Sequence, residues 1–405
     1  MILKPYIPWG TILFYAGIIY TQEKFNIAES INKFSIDLLH ATASHANDVT
    51  NIALSPFTIW TLLSIIAEGS YDSTADQLNK ALRQPQNKNS VRDTYQRLGS
   101  SLGMKSDGAE FETSTGIFPS EEYKIKEKFR SVIKQFYNSS IQSMNYNDAN
   151  SAASTINKYV SSATKNRIPN LINPHDVVNA KLFLTTTMYF KGQWQVPFNQ
   201  TATRPADFFN ENKNKIGTVD MMYQSYPYPY GRLDKLKAFA LELPYGFDDQ
   251  FSMLILLPRG AQTTQNILNA LKGESITDIL ALLNRNHQKF DDNINVSLPK
   301  FKITSDFNMD TPLYEMGIKD MFDSQRANLL GIFNHYVYVS RIIQKAEIEV
   351  DEEGTVATAA GGAVILNRIP PPNFLANRPF LYFIVHKTSG TVIFAGRVSN
   401  PQTLR

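Results

Sequence analysis

The sequence predicts one large α+β domain, and three observations carry that reading. Segments with helical spacing of apolar residues are intermixed with strand-like apolar runs. No Pro-, Gly- or Ser-rich linker divides the 405 residues, although that length alone would allow two or three domains. No segment repeats at a fixed period, and 43% hydrophobic residues supply a sizeable core.

The elements follow in order. Residues 1–21 place Lys4 ahead of an apolar run at 11–20, the layout of a secretory signal peptide, with a cut expected near Thr21. That run is too short to span a bilayer comfortably. Ile18, Ile19 and Tyr20 are bulky where a small-x-small site belongs, so a buried or amphipathic first helix stays open as the alternative. Residues 25–40 set Ile27, Ile31, Phe34 and Leu38 on one helical face, and Ser55-Pro56 reads as the capped start of a buried helix. Helical patterns also run over 121–135 and 265–283. Strands are predicted at LFLTTTMYF from Leu182, FALELPY from Phe239, SMLILLP from Ser252 and VSLPKFKI from Val296. FLYFIVH and TVIFAGRV flank Lys387-Thr388-Ser389-Gly390, a hairpin signal.

Composition narrows the function. Forty basic against 37 acidic residues, mixed along the chain, give +3 and no demand for nucleic acid. With no cysteine, disulfides, thiolate metal sites and a cysteine nucleophile are excluded. Six scattered histidines form no metal-ligand spacing, and no G-x-S-x-G, G-x-G-x-x-G or P-loop pattern occurs, so neither an enzyme nor a cofactor is expected. Lys124, Lys126, Lys128, Arg130 and Lys134 offer a polyanion a basic stretch, but Glu121, Glu122 and Glu127 are interleaved, which favours a solvated face. Sequons at Asn138, Asn199 and Asn295 fit a glycosylated, secreted, extracellular chain.

Residues 352–372, EEGTVATAAGGAVILNRIPPP, are the least ordinary stretch. From Thr355 onward both alternating faces are small and uncharged, so the segment could pair with a waiting sheet, yet its glycines and alanines make a poor strand alone. Arg368 is the one basic residue between Lys345 and Arg378, a long cation of the kind a trypsin-like pocket accepts. Ile369, not proline, follows it, and the prolines beyond stiffen the downstream arm. A flexible, incidentally cleavable surface loop is the plainer reading, and it leaves the absence of charge and proline along the arm unexplained.

From Phe25 to Pro401 the chain resembles the serpin family. The resemblance rests on NIALSPFTI, TTTMYFKGQWQVPF, LELPY with SMLILLP, QKAEIEVDEEGT and NRPFLYFIVHKTSGTVIFAGRVSNP, in family order, with insect members most similar at QKAEIEVDEEGT. It implies residues 22–405 as one serpin domain with a main mixed sheet, further sheets, surrounding helices and an exposed reactive loop. It implies no catalysis and no cofactor but a suicide inhibitor: a serine protease attacks the loop, forms an acyl-enzyme, and is trapped when the small-residue arm enters the main sheet as a new strand. The family's cleaved bond follows the fourteenth residue after the hinge glycine and lies eleven residues before the proline of N-x-P-F. Counted from Gly354 and from Pro379, both rules reach Arg368-Ile369.

Further positions carry over singly. Glu352, Glu353, Gly354, Thr355, Ala357 and Ala359 match the hinge, and Lys300 the lysine paired with the glutamate at Glu352. Trp194 matches the tryptophan where insertion begins, and Ser55 and Thr58 the region that parts. Read without the family, Trp194 is a core aromatic and Ser55 a helix cap. Thr186 stands where many members have asparagine and Gln344 where many have histidine, which puts the polar network there in doubt; Val356 and Gly361-Gly362 also depart, in a direction that slows insertion. The expected partner is a trypsin-like serine protease, met by a secreted monomer without nucleic acid or membrane. A non-inhibitory serpin-fold binding protein whose loop is only a substrate is the first rival, and a hydrolase, lacking its nucleophile motif, the second.

Overall fold

In a computed structural model, which describes residues 25–102, 108–139, 141–289, 292–353 and 370–401, side chains cap the starts of several α-helices. Helix α1 (Ile27–His45) starts where the Asn26 side chain accepts from the Glu29 N–H, and it buries Ile27, Ile31, Phe34 and Leu38 as the spacing predicts. Helix α2 (Pro56–Glu68) starts at Ser55 with proline in its first turn, where a missing N–H costs nothing. Helices α3 (Asp72–Leu82) and α4 (Lys88–Leu102) follow.

The expected helix over 121–135 is shorter: α5 is Glu127–Tyr137. The preceding residues are drawn into other contacts, Glu121 N–H to the Met144 carbonyl and Lys126 N–H to the Ile332 carbonyl. Helix α6 (Ala149–Ala163) is capped by Asp148. The pattern over 265–283 resolves into two helices, α7 (Thr264–Leu271) and α8 (Ile276–Lys289), because the chain turns at Gly273 and Glu274. Helix α9 (Asp310–Glu315) is a short late element.

The strands are β1 (Ile52–Leu54), β2 (Ala109–Pro119), β3 (Leu182–Gly192), β4 (Arg204–Phe209), β5 (Lys215–Tyr226), β6 (Tyr230–Leu233) and β7 (Ala238–Tyr245). They continue with β8 (Phe251–Pro258), β9 (Ile294–Pro299), β10 (Phe301–Asn308), β11 (Arg341–Val350), β12 (Asn373–Leu375), β13 (Phe380–His386) and β14 (Thr391–Val398). Among the described residues they form three sheets, ordered β1-β14-β13-β8-β7-β6, β10-β11-β3-β2 and β12-β9-β5-β4. The hairpin signal is realised as β13–β14, with Gly390 at φ +68, a value that suits glycine. VSLPKFKI becomes two strands in two sheets, with Lys300 at the corner between them.

The β10-β11-β3-β2 sheet has an unusual centre. Strand β11 pairs antiparallel with β10, β3 pairs antiparallel with β2, and the inner pair β11–β3 is parallel. Parallel ladders are slightly weaker per residue. On one face of this seam, Gln344 meets the start of α2; on the other, Phe183 and Ile343 pack in a cluster with Ile156 and Val160 of α6. The main hydrophobic core runs from α1 and α2 through the six-stranded sheet, where every residue of β8, β13 and β14 is buried.

Candidate sheet-opening site

Two clusters hold the β3–β11 seam. The lower one centres on Gln344, whose Nε2 donates to Thr186 Oγ1 at 3.0 Å, Thr58 Oγ1 at 3.1 Å and the Ser55 carbonyl at 2.9 Å. Its Oε1 accepts from the Ser55 N–H at 3.2 Å, and the Ser55 hydroxyl donates to the Ile393 carbonyl at 3.0 Å. All four residues are buried. Gln344 and Thr186 are register partners on opposite sides of the seam, so this hydrogen bond crosses it. The doubt raised by threonine and glutamine at these positions is resolved: the two side chains complement each other and the network closes.

The upper cluster forms where the chain leaves β11. The Trp194 indole N–H donates to the Asp351 carbonyl at 2.7 Å, its backbone N–H to the Glu353 carbonyl at 3.0 Å, and its ring stacks on Tyr245 at 4.5 Å. Gly192 makes this stack possible, since a Cβ there would lie 2.2 Å from the Tyr245 ring. Lys300 Nζ meets Glu352 Oε2 at 2.7 Å, and the Thr203 hydroxyl donates to Glu352 Oε1 at 2.7 Å. Glu352 is 6% exposed. Burial pushes its carboxyl up, but the hydrogen bonds from Lys300, Thr203 and the backbone win and hold it below the usual carboxylate range.

Sequence reasoning missed Thr203 and Lys191. Lys191, on β3, contacts Glu353 at 2.9 Å, Asp351 at 3.2 Å and Glu349 at 3.3 Å, the last on β11 across the seam. Burial works to lower its pKa, yet those three carboxylates more than offset it and raise the ammonium above its ordinary range. The signal was available: Glu349, Asp351 and Glu353 alternate, which in an extended chain puts three carboxylates on one side. Thr203 left no such trace, because it meets Glu352 only through the tertiary fold.

Gly354, Thr355, Ala357, Ala359, Arg368 and Ile369 lie outside the described residues, as does the expected signal peptide 1–21. The flanks are described. Upstream, Glu353 ends the Trp194 cluster; downstream, Pro372 accepts from the Asn295 N–H at 2.9 Å and the chain enters β12 beside β9. Residues 354–369 therefore connect chain segments that lead into two different sheets. Of the sequon asparagines, Asn138 and Asn199 are exposed, whereas Asn295 sits within β9 and donates its Nδ2 to Asn373 at 3.0 Å. In the basic stretch, Lys126 and Arg130 reach the carbonyls of Leu330 and Ile141, so two of its five cations serve the fold. Among the described residues, no group of three or more acidic or histidine side chains is arranged to hold a metal ion.

Known proteins agree with this architecture. The family model "Serpin (serine protease inhibitor)" matches residues 29–401. A leukocyte elastase inhibitor of Homo sapiens is 32% identical over 93% of this chain and 99% of that protein, and one of Sus scrofa 34% identical over 91% and 98%. Among solved structures, serine protease inhibitor (serpin)-12 of Manduca sexta superposes with a TM-score of 0.80 at 22% identity, covering 93% of this chain and 99% of that one. Serpin48 of Tenebrio molitor gives a TM-score of 0.77 at 26% identity, covering 94% and 100%. With a family match over residues 29–401 and relatives above 30% identical along nearly their whole length, the chain belongs to the serpin family of serine protease inhibitors, and it is not an enzyme.

Proposed function

We propose that this serpin is a secreted suicide-substrate inhibitor of a trypsin-like serine protease, cleaved at Arg368-Ile369. The observation that carries the reading is the parallel β3–β11 pair, whose strand β11 leads through Glu353 towards a stretch without charge from Thr355 to Asn367. A segment that leaves β11 and folds back runs antiparallel to both neighbours, so its entry replaces one parallel ladder by two antiparallel ones. The seam must widen from about 5 Å to about 10 Å to admit it.

The chemistry needs only the protease's own groups. Its serine oxygen adds to the Arg368 carbonyl carbon, the bond to the Ile369 nitrogen breaks, and that nitrogen leaves with a proton, giving an ester to Arg368. Entry of the arm then competes with hydrolysis of that ester. The relatives named for leukocyte elastase do not fix the target here, because an elastase pocket is small and Arg368 is long and charged. Secretion is supported by the layout of residues 1–21 and by exposed asparagines at two sequons.

Incubation with trypsin followed by a denaturing gel tests this. A covalent complex that survives boiling and disappears in Arg368→Ala is the expected result. Clean cleavage after Arg368 with no complex would leave the loop a substrate only.

A further inference from the structure

Away from the seam, a cavity of about 330 Å³ opens where β8 ends and β12 turns into β13, with Phe209, Pro258 and Pro379 in its wall. Arg378 reaches into this corner. Its Nε and Nη2 donate to the Pro258 carbonyl at 3.2 and 2.7 Å, and its Nη1 to the Leu375 carbonyl at 3.3 Å. Arginine carries five N–H groups, so one remains on each Nη. Burial lowers the pKa of this guanidinium, and no carboxylate acts on it to restore the balance. Lys213 lines the same cavity on an exposed turn.

Asn210 Oδ1 is taken by the Asn214 N–H, and Gln262 Oε1 by Asn266, which leaves their amide N–H groups for a guest. The one acid in the wall, Glu211, has its Oε1 engaged by both the N–H and the hydroxyl of Thr264 at 2.7 Å. A half-buried cation that makes no ion pair among the described residues, a second cation in the same wall and two amide side chains describe an anion receptor, with the Glu211 carboxylate turned to Thr264.

We propose that this cavity binds a tetrahedral oxyanion, phosphate or sulfate, held by the two remaining N–H groups of Arg378 and neutralised by Lys213. The residues that line the cavity lie outside residues 354–369. Free ion and ester share the chemistry, so inorganic phosphate and a sugar monophosphate are the two probes, titrated calorimetrically into the full chain at constant ionic strength. Melting temperature is a poor readout, since phosphate and sulfate stabilise many proteins by exclusion from their surfaces.

Saturable one-to-one binding is expected, and Lys213→Glu should weaken it roughly tenfold or more, the scale of one charge-assisted hydrogen bond. Arg378→Lys, which keeps the charge but not the fork, should weaken it similarly; because it also loosens the carbonyl contacts, Lys213→Glu carries the decision. Tighter binding of the sugar phosphate than of the ion would identify an ester as the ligand. Absence of saturable heat with both probes, or equal affinity in wild type and Lys213→Glu, would overturn the proposal and leave Arg378 as a clamp on two carbonyls.

Discussion

Gln344 directs one side-chain amide at three oxygens, two at the start of α2 and one on β3 across the seam. Truncating it to alanine takes the Gln344 partner from the buried Thr186 hydroxyl and the Ser55 N–H, while Thr58 keeps its bond to the Ser55 carbonyl, and this costs about 2–3 kcal/mol. The unfolding midpoint of Gln344→Ala should fall by a few degrees in calorimetry, whereas Gln344→His, with donor and acceptor retained, should recover much of it. Glu352 gives a pH signature. Its folded-state pKa lies below the unfolded value, so its contribution is complete above the unfolded carboxylate pKa of about 4.3 and is lost as pH falls through the folded value. Comparing wild type with Glu352→Gln between pH 6 and pH 3 should therefore show the two stability curves converging on acidification. Parallel curves would mean that Glu352 contributes through shape alone. Most of these residues were legible in the sequence through motifs, but Thr203 was not, since a hydroxyl meeting a carboxylate 149 positions away has no local pattern.

Strand β3 carries the element-scale consequence. Lys191 is the cation that ties it to Glu349 of β11 and to Asp351 and Glu353 beyond. In Lys191→Met three carboxylates face one another without it, and the seam should part more readily by about 1–2 kcal/mol, a factor of about 5–30. A synthetic peptide of residues 355–367, labelled and followed by fluorescence, should enter this variant faster than wild type by that factor. An unchanged rate would show that Lys191 neighbours the seam without holding it. Element existence was readable from apolar periodicity; element boundaries were less so. The 121–135 pattern overran because residues before Glu127 bond to distant carbonyls, and VSLPKFKI looked continuous because strand alternation says nothing about which sheet each half joins. The parallel pairing of β3 with β11 was invisible for the same reason, as register between distant strands is a tertiary property.

At the scale of the whole molecule, the proposed mechanism requires that the segment between β11 and β12, which lie in different sheets, enters one of those sheets as a new strand after cleavage. About ten new hydrogen bonds at about 1 kcal/mol each would make the cleaved form more stable than the intact one by about 10 kcal/mol. For a chain of this size that is about 10 °C or more in melting temperature. An ordinary surface loop behaves in the opposite way, since a nick removes a constraint and leaves the fold no stronger. The measurement that separates them most directly is the melting temperature of the chain before and after limited cleavage at Arg368. A rise of that size, blunted when a charged residue replaces Ala357 or Ala359, is the predicted result. An unchanged or lower melting temperature after complete cleavage would contradict strand insertion, and with it the inhibitory mechanism.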